Sequence, residues 1–197
     1  MQTTIYFLRH GEVSDPKKIE YGRLPGFHMT QNGIQQVQAT AQKFLGLGIE
    51  PCLIVTSPLE RARETAQIVS QILGNALIKV DERLTEWDQG PWEGKLTEDF
   101  YKNSGYYSVP MKMEGLEPHD QAADRVINVI HDLVAGCHGQ PIFIISHRES
   151  MASAILKLQG KDFSTIHDLP MHVASVWELQ FEDNQFVSAE LKWDTPV

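Results

Sequence analysis

Apolar residues along this chain gather in two kinds of pattern: short unbroken runs, and stretches where they recur every three or four positions. Thr4 to Leu8, Cys52 to Thr56 and Pro141 to Ser146 are unbroken runs rich in β-branched and aromatic residues, as in strands covered on both faces. Leu77 to Val80 is a shorter one. The helical spacing appears first after Thr30, where Ile34, Val37, Ala41 and Phe44 predict a helix capped by the threonine. Ser57-Pro58 offers an N-cap and a proline at the first helical position. Leu59, Ala62, Ala66, Val69 and Leu73 then continue a stripe that stops at Gly74. Ala122, Val126, Val129, Ile130 and Leu133 predict a helix closed by Gly136, and Met151, Ile155 and Leu158 one that ends at Gly160. Two last strands, around His172–Gln180 and Gln185–Lys192, form a hairpin.

Strands alternating with helices predict an α/β fold: a three-layer α/β/α sandwich around a mostly parallel sheet with an antiparallel edge strand. From Glu86 to Pro118 the periodicity fades and Trp, Tyr, Gly and Met accumulate. The expectation is therefore one domain over 1–197 with an irregular, lid-like insertion at about 86–118. A length of 197 residues suits that count.

Composition narrows the function. Seventeen Lys and Arg against 26 Asp and Glu give a net charge of −9, which disfavours nucleic acid and anionic membranes as partners. An anionic ligand would need a local cluster of arginines. The N-terminal segment lacks a basic region and a long apolar run, so no signal peptide is expected, and no apolar run approaches a membrane span. Cys52 and Cys137 form no CxxC pair and read as free thiols of a reducing compartment. The expected location is cytoplasmic. Oligomeric state is left open between monomer and homodimer.

Ligands of open α/β sheets bind beyond the carboxyl ends of the strands. Arg9, His10 and Gly11 follow the first strand, Arg61 lies in the first turn after the second, and His147 follows Ser146 at the end of another. Two guanidiniums and two imidazoles would thus meet on one rim. Guanidinium forks match phosphate oxygens. A neutral imidazole is a competent nucleophile toward phosphorus, and a second can stabilise charge on the equatorial oxygens. Each residue also has a plain reading, as a polar strand end or a solvated charge.

Leu8-Arg9-His10-Gly11-Glu12 resembles the signature of the histidine phosphatase superfamily, the phosphoglycerate mutase-like enzymes. Thr56 to Ala66 is similar to the second block of that family, Leu84 to Gly94 to its third, and Ile145-Ser146-His147 falls where its second histidine belongs. The resemblance implies that His10 becomes phosphorylated, that Arg9, Arg61 and His147 hold the phosphoryl group, and that Glu86 is the general acid and base. It implies no cofactor and no metal, and a small phosphorylated substrate. Gly11 would let the chain approach a bound oxyanion or adopt positive φ. Arg23, in Tyr21-Gly22-Arg23, is a further phosphate-binding candidate by the same resemblance, against a surface loop cation.

Two positions depart from the family pattern. Pro16 stands where many members carry an asparagine, leaving Ser14 or Arg23 to replace a phosphate donor. Arg148 stands where glycine usually follows the second histidine. It either serves a second anionic group of the substrate or, as the simpler reading, begins a helix whose positive end Glu149 favours. Phe27, His28, Trp87, Trp92, Tyr101, Tyr106 and Tyr107 would surround the pocket mouth, where packing explains most aromatics. The leading expectation is a metal-independent phosphomonoesterase. A mutase of the phosphoglycerate type and a catalytically silent phosphate-binding module are the alternatives, and two His-x-Glu pairs leave metal binding as a formal one.

Overall fold

The computed structural model describes residues 2–106, 114–136 and 139–194. Six strands form one sheet: β1 (Gln2–Arg9), β2 (Leu53–Thr56), β3 (Leu77–Val80), β4 (Ile142–Ser146), β5 (Val176–Glu182) and β6 (Gln185–Trp193). Their spatial order is β3-β2-β4-β1-β5-β6. The first four are mutually parallel, while β5 runs antiparallel to β1 and β6 antiparallel to β5. The antiparallel edge is therefore two strands wide.

Alternation within the strands builds both outer layers. Ile5 and Phe7 of β1, with Ile142 and Ile144 of β4, face α4 (His119–Gly136) and α5 (Arg148–Leu158), meeting Val126, Val129, Ile130, Met151 and Ile155. Tyr6, Leu8, Phe143 and Ile145 point the other way. There they pack on Val37, Ala41 and Phe44 of α1 (Gln31–Gly46) and on Ala62, Ala66 and Val69 of α2 (Glu60–Ile72). A strand with two buried faces reads as an unbroken apolar run, because both residue parities leave water.

Two boundaries differ from the sequence reading. α2 begins at Glu60, its N-cap is Leu59, and no side chain caps it. Ser57 does accept the Leu59 N–H at 3.3 Å, but its hydroxyl is engaged by His147 at 2.7 Å. The strand expected from His172 starts only at Val176, because the chain before it wraps around the end of β1. Ala174 N–H donates to the His10 carbonyl, Arg9 N–H to the Ser175 carbonyl, and Ala174 sits at φ 57°. A non-glycine residue in that region costs about 1–3 kcal/mol. The strain is located directly behind His10.

The described part of segment 86–118 carries some regular structure. It holds a 3₁₀ turn at Gly90–Trp92 and the short helix α3 (Thr97–Asn103). Trp87, Phe100, Tyr106, Leu116 and Ala122 form a small core of their own, with Trp92 packed against it. Trp87 also stacks on His119. Packing thus accounts for Trp92 and Tyr106. Tyr107 lies outside the described residues.

Candidate active site

Strand register creates the centre of the site. Arg9 pairs with Ser146 across β1 and β4, so the next residues, His10 and His147, leave the sheet side by side. Their ring centroids are 5.2 Å apart. Both are buried.

The His10 Nδ1–H donates to the carbonyl of Gly11 at 2.8 Å. A carbonyl can only accept, so Nδ1 carries the proton and Nε2 keeps its lone pair. Arg61 Nε–H, 3.3 Å away, points at that lone pair. Burial holds His10 well below the ordinary imidazole range, and the charges of Arg61 and Arg9 act in the same direction. The ring is neutral at physiological pH.

Burial likewise keeps His147 neutral, aided by Arg61, His10 and Arg9. Its Nε2 bonds the Ser57 hydroxyl. We assign the serine as donor, which places the proton on Nδ1, a buried atom with no partner. Arg61 spends one amino group on the Gly22 carbonyl at 2.7 Å and leaves Nη1 buried and unpartnered. Arg9 donates to the Met171 carbonyl at 2.7 Å, and its Nε is also without a partner. Three buried nitrogens, on Arg9, Arg61 and His147, are left without partners beside His10. Leaving such groups unpaired costs about 1–3 kcal/mol each, a cost that an oxyanion binding among them removes.

Glu86 closes the cluster from the loop after β3. Its Oε1 accepts from Trp87 N–H at 2.7 Å and from Ser150 N–H at 3.3 Å. Burial raises its pKa, Glu149 adds to the rise, and the Trp87 bond, Arg61 and Arg9 oppose it. A carboxyl poised this way keeps its proton to higher pH than a solvated one, as a general acid requires.

Arg23, the further phosphate-binding candidate, stands at the Glu86 loop. Its guanidinium binds the Glu86 carbonyl at 2.6 Å, Asp88 at 3.1 Å and Glu117 at 3.0 Å. These contacts brace the Glu86 loop. Gly11 is needed for a different reason than expected. Its φ is not positive; instead, a Cβ there would meet the Gly33 carbonyl oxygen at 2.4 Å. The glycine lets the start of α1 close on the loop after His10. Glu12 serves the same junction, accepting from Thr30 and Asn32 at 2.7 and 2.9 Å, and so does not join His10 as a metal ligand. Pro16 and Ser14 are exposed.

Arg148 does begin α5. It also lines the cavity outside the cluster and is ion-paired with Glu149. That cavity, about 230 Å³, shares Arg9 and Glu86 with the site.

Several positioning groups had no sequence signal. Arg125 binds the carbonyls of Arg83, Thr85 and Glu86, the Ser150 hydroxyl and Glu117. Ser146 Oγ ties the Leu84 carbonyl to the end of β4 at 2.7 Å. The one hint for Arg125 is its place beside the apolar stripe of α4.

Neutral paired histidines, open guanidinium donors and a raised carboxyl at the carboxyl end of a parallel sheet define an enzyme of phosphoryl chemistry. The family model of the histidine phosphatase superfamily (branch 1) matches residues 5–194. The chain belongs to that superfamily. An uncharacterised protein of Mycobacterium tuberculosis is 45% identical over 167 residues, covering 81% of this chain and 80% of that one. A Hydrogenobacter thermophilus protein named "Putative phosphoserine phosphatase 2" is 29% identical over 188 residues, covering 90% and 89%. Among solved structures, YhfR of Bacillus stearothermophilus superposes with a TM-score of 0.85 at 21% identity, over 98% of both chains. Among the described residues no helix is long and apolar enough to cross a membrane.

Proposed function

We propose that the protein hydrolyses a small phosphate monoester through a phosphohistidine on His10. What supports the reading is the trio of unpartnered buried nitrogens, Arg9 Nε, Arg61 Nη1 and His147 Nδ1, on residues whose charges or rings act on His10. Nε2 attacks phosphorus, the bond to the leaving oxygen breaks, and Glu86 gives that oxygen its proton. Water then attacks the phosphohistidine. Glu86 takes the water's proton, the P–N bond breaks, and inorganic phosphate leaves with His10 neutral again. The arginines and His147 hold the phosphoryl oxygens through both steps.

The test is phosphate release from phenyl phosphate in EDTA by wild type and His10→Ala. Turnover in wild type that the substitution abolishes supports the reading. Phosphate binding without turnover points to a silent module, activity lost with chelator to a metal, and faster interconversion of two phosphoglycerates than hydrolysis of either to a mutase.

A further inference from the structure

The unpartnered donors around His10 have a counterpart of opposite character in the adjoining cavity. Asp15, Glu20 and Gln89 lie in its wall. Asp15 accepts the Ile19 N–H through Oδ2, while its Oδ1 is buried with no partner. Gln89 is 7% exposed; its amide nitrogen donates to Glu20, and its carbonyl oxygen is buried and unpartnered. Neither Asp15 nor Glu20 is ion-paired among the described residues. Burial pushes the Glu20 carboxyl upward against its hydrogen bonds from Thr97 and Gln89, with Glu149 and Glu86 adding to the rise.

The cations nearby are already committed. Arg148 is neutralised by Glu149, and Arg9 faces the His10 cluster. What remains is a set of acceptors with surplus negative charge beside a set of donors with surplus positive charge. The cavity adjoins the His10 cluster through Arg9 and Glu86, which line both, so it is the space open to a leaving group attached to phosphorus at His10. Unmet buried acceptors are satisfied by a group with several N–H donors and a positive charge.

We infer that the substrate's leaving group carries an ammonium, held by Asp15, Glu20 and the Gln89 carbonyl, so that the preferred class is the phosphate monoester of a small amino alcohol. The inference rests on the hydrolytic reading above.

The experiment compares kcat/KM at neutral pH for 2-aminoethyl phosphate, its neutral isostere propyl phosphate, and the carboxylate-bearing phosphoglycolate. Phenyl phosphate reports on the chemistry alone. The ammonium ester should exceed propyl phosphate by about tenfold or more, as expected when a buried charge-assisted hydrogen bond is gained. In Glu20→Gln and in Asp15→Asn this ratio should fall toward one; being a ratio within one protein, it is insensitive to the folded fraction. Equal rates for ammonium and propyl esters, or a preference for phosphoglycolate, overturn the inference while turnover of phenyl phosphate keeps the hydrolytic reading. Inertness toward all four overturns both.

Discussion

Arg61 Nε lies 3.3 Å from Nε2 of His10, so a fully buried cation is aimed at the lone pair that the proposed mechanism directs at phosphorus. The contact suppresses protonation of the ring and fixes its rotation. Arg61 is itself aligned by the Gly22 carbonyl and lies 5.0 Å from the centroid of the Tyr21 ring. Lysine at this position keeps the charge but loses the fork. Arg61→Lys should lower kcat/KM for phenyl phosphate by about 10²–10³-fold, the scale for losing one preorganised donor. A variant within threefold of wild type would remove Arg61 from the phosphoryl cradle.

Glu86 should be needed according to the leaving group. Its carboxyl is raised, so the protonated form persists toward neutrality and is lost as pH climbs past its pKa. The basic limb of kcat/KM for an alkyl phosphate should follow that loss. Glu86→Gln should flatten the limb and slow alkyl esters by about 10²–10⁴-fold, but phenyl phosphate much less, because phenoxide leaves without a proton. Equal losses on both substrates would contradict the assignment.

The same burial couples the histidines to stability. His10 and His147 both have folded-state pKa values well below an unfolded value of about 6.5. Below about pH 6.5 the unfolded chain takes up protons that the folded site refuses, so their contribution is complete above that pH and erodes as pH falls beneath it. Glu86 works oppositely, since its raised pKa makes the folded site bind a proton that the unfolded chain releases above about pH 4.5. Comparing wild type with His147→Asn isolates the imidazole: the drop in Tm between pH 7.5 and 5.5 should be smaller in the variant. An equal drop would mean that His147 takes up a proton in the folded state as readily as in the unfolded one.

Gly11→Ala tests the junction between His10 and α1. The new methyl would stand 2.4 Å from the Gly33 carbonyl oxygen and 2.9 Å from the Met29 sulfur, and backbone yields less readily than a side chain. A loss of about 1–3 kcal/mol in urea unfolding is expected. A neutral substitution would show that α1 can shift freely.

What the sequence disclosed depended on how local the signal was. The strands with two buried faces were legible, because apolar residues at every position leave few other solutions. His10 and His147 could be placed on one rim from the rule about strand ends, without knowing that Arg9 and Ser146 are in register. The bracing contacts of Arg23 could not be read, because its partners, Asp88 and Glu117, are 65 and 94 residues away. Arg125 was missed for the same reason: nothing in the α4 pattern reveals the carbonyls of Arg83, Thr85 and Glu86. Gly33, in the first turn of α1, gives no local signal of its role. Only the structure shows that its missing side chain makes room for Glu12, whose carbonyl oxygen would stand 2.2 Å from a Cβ there.

The account stands or falls on a covalent adduct at one nitrogen. Wild type mixed with phenyl phosphate and quenched into alkali, which preserves phosphohistidine, should yield a peptide phosphorylated on His10 by mass spectrometry, and the label should be absent from His10→Ala. Turnover with no trapped adduct under conditions that accumulate it, or a phosphoryl group on any other residue, would contradict the mechanism.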